Sequence, residues 1–145
     1  MISKVYNYSL AEIKEMITNF GMKCTSQRIA IYQALLSSDH PSAEEVHDDI
    51  EKNYPSISLS TVYNTLETFA ETKLIGRIKT SNGKMRYDVR IEPHAHLYCK
   101  ESEKVIDYFD DELHEMIVKH IKKKNIQNFN IGDIQIQING KLINN

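Results

Sequence analysis

Two histidines one residue apart, His94-Ala95-His96, are the part of this chain best equipped for chemistry. In an extended segment side chains alternate between faces, so both imidazoles project to one side. Asp88 closes the stretch before them and Asp107 lies in the stretch after them, both with strand-like patterns. An antiparallel arrangement can bring these four side chains together, and His40, between two predicted helices, is a fifth candidate. Three imidazoles and two carboxylates form a borderline nitrogen and oxygen donor set, suited to Fe(II), Mn(II) or Zn(II) rather than thiophilic ions. The competing reading is that a His-x-His on a strand is incidental. His47, His114 and His120 are read as structural or solvated, because they sit on predicted helices with no evident carboxylate partner.

A second set of residues has the chemistry of base-edge contacts. On a helix over 58–70, Leu59, Val62, Leu66 and Phe69 make the apolar stripe. Ser60, Asn64, Glu67 and Glu71 point away from it, with Thr61 and Tyr63 at its edges. Hydroxyls, an amide and a phenol suit hydrogen bonds and methyl contacts in the major groove. Arg28, on an earlier helix, and Arg77, Lys79 and Lys84, on a hairpin, are candidates to hold phosphates. A polar outer face is also what any solvated helix shows.

The elements that must position these groups can be read from caps and periods. Ser9 and Glu12 form a capping box ahead of Leu10, Ile13, Ile17 and Phe20, and Gly21 stops that helix. Thr25 caps a second helix with Ile29, Tyr32, Leu35 and Leu36 on its apolar face. Ser42 and Glu45 repeat the capping box before Val46 and Ile50, and Ser58 caps the fourth helix. The period then changes: 74–80 and 84–89 read as strands around the turn Ser81-Asn82-Gly83. Helices followed by a hairpin are the layout of a winged helix-turn-helix. Short strands at 96–99 and 104–108, an amphipathic helix over 110–124 and an alternating strand over 134–138 complete the chain.

The expected class is therefore α+β, an N-terminal winged helix-turn-helix over residues 1–89 followed by a small α/β domain over 93–145, with the metal site at their junction. A domain of about 50 residues has a marginal core of its own, so dimerisation through it is the economical solution. The dimer surface would use Leu113, Ile117, Ile121, Ile134, Ile136 and Ile138.

Composition narrows the class further. Eighteen Lys and Arg stand against twenty Asp and Glu, a formal charge of -2. Generic electrostatic binding of nucleic acid is thus disfavoured, and DNA binding must rest on local geometry. The longest uninterrupted apolar run is Ile29-Ala30-Ile31-Tyr32, so neither a membrane span nor a signal-peptide core is expected. Cys24 and Cys99 are the only cysteines, which excludes a disulfide-stapled domain and a four-thiolate zinc site. A cytoplasmic location is the default expectation.

Taken together these segments resemble the ferric uptake regulator (Fur) family, and most closely its peroxide-sensing PerR branch. The matching motifs are Gly21-Met22-Lys23-Cys24-Thr25-Ser26-Gln27-Arg28, His40-Pro41-Ser42-Ala43-Glu44-Glu45, Ile57-Ser58-Leu59-Ser60-Thr61-Val62-Tyr63-Asn64, Arg86-Tyr87-Asp88 and His94-Ala95-His96-Leu97-Tyr98-Cys99. The resemblance implies a metal-dependent repressor that binds a palindromic operator in double-stranded DNA as a homodimer, with the fourth helix in the major groove and Tyr63 at the bases. It implies one regulatory Fe(II) or Mn(II) per chain on His40, Asp88, His94, His96 and Asp107, a site that Zn(II) can occupy in vitro. Asp at both acidic positions, and Asn64 after Tyr63, resemble PerR rather than iron-sensing Fur proteins. By that likeness Fe(II) would use peroxide to oxidise a ligand histidine. The alternative within the family is an iron or manganese sensor without peroxide chemistry.

One departure from the family pattern concerns a structural zinc held by two Cys-x-x-Cys pairs. Here Cys99 is followed by Ser102 in the partner position, and no cysteine follows Ile138, so that zinc is expected to be absent. Two readings from other classes are a non-haem iron enzyme using His94, His96 and Asp88, and a metal-free winged-helix interaction module.

Overall fold

The structure, a computed structural model, describes residues 7–89 and 92–143; the outer ends of both expected domains, and positions 90 and 91 of the expected boundary, lie outside them. The chain divides into two compact units, Met1–Ile91 and Glu92–Asn145.

The first unit opens with α1 (Leu10–Asn19), α2 (Ser26–Leu36), α3 (Ala43–Ile50) and α4 (Leu59–Glu71). Each begins at the hydroxyl residue the sequence suggests: Ser9, Thr25, Ser42 and Ser58 accept a hydrogen bond from the backbone amide three positions on. A cap of this kind satisfies an amide that the helix cannot and contributes about 1 kcal/mol. Gly21 takes φ 85° just past α1, a conformation that costs an L side chain energy and glycine nothing. The hairpin β1 (Gly76–Lys79) and β2 (Met85–Asp88) pairs antiparallel with Arg77 opposite Tyr87. Its turn is tied by Gly83 donating to the Thr80 carbonyl and by Lys84 donating to Asn82 Oδ1.

The helices close over one apolar core that includes Ile13, Ile17, Ile31, Tyr32, Leu35, Val46, Val62, Leu66, Phe69 and Tyr87. Tyr32 and Phe69 meet edge to face with centroids 5.9 Å apart. Two residues assigned to apolar stripes sit at the rim instead: Leu10 is 50% and Leu59 36% exposed. Both are first residues of their helices, where the turn has not yet rotated the side chain over its neighbours. On α2, Ile31 is fully buried although the stripe omitted it, because this helix is enclosed on several sides.

The second unit holds β3 (Ala95–Cys99), β4 (Val105–Tyr108), α5 (Asp111–Lys124) and β5 (Gln137–Gly140). Its sheet has the order β4-β3-β5, with β3 antiparallel to β4 and parallel to β5. The final strand starts three residues later than the alternation over 134–138 predicts. A strand exists only where it has a partner, and β3 offers hydrogen bonds from His96 to Cys99, opposite Gln137 to Gly140. Helix α5 is capped by Asp110 and ends in Lys122, Lys123 and Lys124, a charge order that suits the helix dipole. No residue of α5 is buried.

Lys73 ends α4 at φ 69° without being glycine, while the Leu74 amide closes back on the Phe69 carbonyl. Lys73→Gly is expected to stabilise the first unit by about 0.5–1 kcal/mol by relieving that conformation. Urea unfolding checks this; an unchanged or lower midpoint contradicts it.

Candidate metal centre and nucleic-acid interface

Strand alternation places His96 opposite Asp107 in the β3–β4 ladder. His94, just before β3, turns its ring onto Phe109, stacked at 5.0 Å between centroids. Its Nδ1 lies 2.7 Å from the Glu92 carbonyl oxygen. A carbonyl only accepts, so Nδ1 carries the proton and Nε2 keeps its lone pair in the neutral ring. That Nε2 stands 3.1 Å from His96 Nε2 and 3.2 Å from Asp107 Oδ1. His96 Nε2 and Asp107 Oδ1 are 3.4 Å apart. Three electron-rich atoms so close demand a proton or a cation among them. Edges of about 3.0–3.4 Å are those of a coordination polyhedron whose ligands stand about 2.0–2.2 Å from the ion. The donor chemistry and the triangle both fit a first-row divalent metal.

The first unit carries a second pair of donors. His40 is held at φ 47°, strained for a residue with a side chain, by the chain on both sides of it. The Tyr87 amide donates to the Pro41 carbonyl at 3.0 Å, and Ser42 bridges to Arg86, so the entrance to α3 runs as a short strand beside β2. This seam sets His40 Nε2 3.8 Å from Asp88 Oδ2, with both side chains buried. His40 Nδ1 lies 2.7 Å from Asp39 Oδ1, a close charge contact that lacks the alignment of a hydrogen bond. Sequence reasoning missed Asp39, Glu92 and Phe109; only the adjacency of Asp39 to His40 was a usable signal. His47 also needs correcting, since Asp48 and Glu51 do bring carboxylate oxygens within 4.8 Å of its ring. Its Nε2 is occupied by the Ile57 carbonyl at 3.2 Å, a structural role.

Cys99 is buried at the end of β3. Hydrogen bonds from the Ser102 hydroxyl and from the Leu142, Ser102 and Glu101 backbone lower its thiol to about 7.

On α4, Ser60, Tyr63 and Asn64 are exposed and Thr61 is half-buried. The Thr61 hydroxyl is shared with the Ser58 cap at 3.0 Å. Tyr63 donates to Glu44 Oε1 of α3 at 2.7 Å. That bond, with the Glu44 backbone amide, holds the Glu44 carboxyl below its ordinary range, and it pushes the Tyr63 phenol up. Two of the proposed phosphate holders have protein partners: Arg28 Nη1 donates to the Lys23 carbonyl at 2.7 Å, and Arg77 Nε to Glu67 Oε2 at 2.9 Å. Lys84 stands on the wing and Lys79 is exposed on β1.

With fold and sites in view, the comparisons agree on a class. Residues 19–139 match the model of the ferric uptake regulator family. The chain belongs to that family, whose members are metal-responsive, DNA-binding transcription regulators. It is similar to the peroxide-responsive repressor PerR of Staphylococcus aureus strain USA300, 30% identical over 109 residues, 72% of this chain and 74% of that one. Among solved structures it resembles the Vibrio cholerae ferric uptake regulator, with TM-score 0.70, 26% identity, and 89% of this chain and 98% of that one covered. The Campylobacter jejuni peroxide stress regulator is similar at TM-score 0.68 and 27% identity, over 95% and 98% of the two chains. The α+β architecture expected from the sequence, a winged helix-turn-helix and then a small α/β unit, is the one these relatives share. No described helix is long and apolar enough to cross a membrane.

Tyr87, buried beside Asp88, donates to Glu67 Oε2 at 3.4 Å, and burial followed by the Glu67 charge pushes its phenol up to about 12. The fold keeps this phenol neutral while an unfolded chain ionises it near its ordinary 10.0. Stability should therefore fall as pH rises from there towards about 12. Glu67→Gln should lower the Tyr87 pKa, read by the ultraviolet absorbance of phenolate; an unmoved titration would refute the link.

Proposed function

We propose that this chain is a metal-gated repressor, a homodimer that binds a palindromic operator in double-stranded DNA and senses peroxide through Fe(II)-dependent oxidation of a ligand histidine. The observation that carries the reading is the triangle of His94 Nε2, His96 Nε2 and Asp107 Oδ1, with the His94 tautomer set to offer a lone pair. His40 and Asp88 supply the remaining donors from the first unit. Asp88 and His94 are six positions apart in sequence, and a shared ion is the reading that this proposal adopts. In this reading residues 1–89 bind DNA and 93–145 dimerise.

An ion held from both units favours whichever arrangement lets all five ligands reach it, by its difference in affinity between arrangements. The selected arrangement is the one in which the two α4 helices match successive major grooves. Ser60, Thr61, Tyr63 and Asn64 then meet base edges, and Arg28 and Lys84 meet phosphates. A bound Fe(II) would supply the redox catalysis by which peroxide oxidises the ring of His40 or His94, one peroxide oxygen replacing a ring hydrogen and the other leaving as water. That ligand weakens, and the coupling with DNA is lost. The apolar side chains that the second unit leaves exposed support a dimer: Met116, Ile126, Phe129 and Ile138 are all more than 40% accessible. The chain is not an enzyme in this reading, and its place is the cytoplasm, with the DNA. No structural zinc is needed.

An iron- or manganese-responsive regulator without peroxide chemistry is the second reading, favoured by the same donor set. The two differ only in whether the bound metal reacts with peroxide.

His40→Ala should abolish Mn(II)-dependent binding of an operator duplex, by anisotropy, while sedimentation still reports a dimer. Unchanged operator affinity would sink the shared-ion mechanism. For peroxide, protein loaded with Fe(II) or Mn(II) is exposed to dilute peroxide and peptide-mapped. One added oxygen on peptides containing His40 or His94, in the iron sample alone and lost in Asp107→Glu, is the expected result. Metal bound with no oxygen added selects the second reading.

A further inference from the structure

We propose that Glu44 fixes the hydrogen-bond polarity of Tyr63, so that α4 presents this phenol to DNA as an acceptor and selects a base-pair edge bearing an amino donor. The inference rests on α4 being the DNA-reading helix, as proposed above. Tyr63 and Glu44 come from different helices, 19 positions apart, and meet at 2.7 Å. An ionised carboxylate has no proton to give, and a phenol has one, so the Tyr63 proton points at Glu44 and only lone pairs remain to face outward. The surroundings keep it so. Glu44 lies in the first turn of α3, where the helix terminus favours negative charge. Its depressed carboxyl and the raised phenol hold the charged and neutral forms this polarity requires. The Ser60 hydroxyl can turn to donate or accept, and that of Thr61 can exchange roles with Ser58, whereas Tyr63 cannot while Glu44 holds its proton.

In the major groove the amino donors are adenine N6 and cytosine N4; guanine N7 and O6 and thymine O4 only accept. An outward phenol oxygen backed by a carboxylate is complementary to the first group and repelled by the second. Tyr63 is 38% exposed although its hydroxyl is tied to Glu44, so the side chain is accessible from solvent. Glu44 thus acts on DNA through Tyr63, as a positioning residue on the neighbouring helix.

The test uses the full chain loaded with Mn(II). Duplexes selected from a randomised pool are rebuilt with one adenine at a time replaced by purine, or one cytosine by its 4-deamino analogue. At one position per half-site, loss of the amino group should weaken wild-type binding about five-fold. That penalty should vanish in Tyr63→Phe and shrink in Glu44→Ala, where the freed phenol can turn to meet either kind of edge. In the free protein, tyrosine-labelled NMR should show the Tyr63 pKa falling towards the ordinary value in Glu44→Gln. A penalty that depends on Tyr63 but is undiminished in Glu44→Ala, or a Tyr63 pKa unmoved in Glu44→Gln, overturns the inference and leaves the helix reading intact. If Ser60→Ala, Asn64→Ala and Tyr63→Phe all bind every duplex as wild type does, or no duplex is retained, the helix reading falls and the inference with it.

Discussion

The first unit turns on one short strand. Alternation along β2 sends Tyr87 to one side, into the core and onto Glu67 of α4, and Asp88 to the other, towards His40. The same strand is fastened through its backbone to Pro41 and Ser42 at the entrance to α3. A candidate metal donor, a part-buried link to the helix that carries Tyr63, and the seam that holds His40 thus share four residues. A shift of one residue in that register would exchange the two faces and lose both relationships at once. The strained His40 backbone is a local cost of this arrangement, offset by the hydrogen bonds on either side of it.

The second unit is built on the opposite plan. Its sheet is small, its helix buries nothing of its own, and its polar cluster is among its most enclosed features. Burying two imidazoles and a carboxylate without a counter-charge is unfavourable, and lone pairs converging within 3.4 Å add to that cost. A divalent ion reverses the sign of each term by drawing the same atoms inward. Protons compete for the same lone pairs, so occupancy and acidity oppose one another here. The cluster is poorly suited to stabilise the unit by itself and well suited to make its stability depend on what it binds.

Much of this was legible in the residues. Hydroxyl caps at Ser9, Thr25, Ser42 and Ser58 are local signals, decided within four residues, and all four are realised. His94 and His96 with Asp107 follow from alternation plus one antiparallel pairing, and the structure brings them together. The features that could not be read depend on contacts far apart in sequence. The start of β5 is set by where β3 has free partners, 40 residues earlier. Arg77 reads as a phosphate holder because it is basic and on the wing, yet Glu67 takes its Nε. Glu44 sat inside a recognised motif with no role, since nothing local shows that Tyr63 reaches it.

The charge distribution gives these contacts a common meaning. The chain is net negative and α4 has no Lys or Arg. Arg28 and Arg77, two of the candidate phosphate holders, are engaged by a backbone carbonyl and by a glutamate. A surface so arranged gains little from phosphates in general, because nonspecific affinity scales with the cations it can bring to them. Whatever discrimination α4 achieves must then come from groups with defined hydrogen-bond polarity and position. A phenol whose proton is already committed is such a group, and a backbone locked by the β2 seam is what keeps it in place. On the proposed reading of α4, weak attraction and rigid presentation belong together: they would leave binding dependent on the right edges being met in the right register.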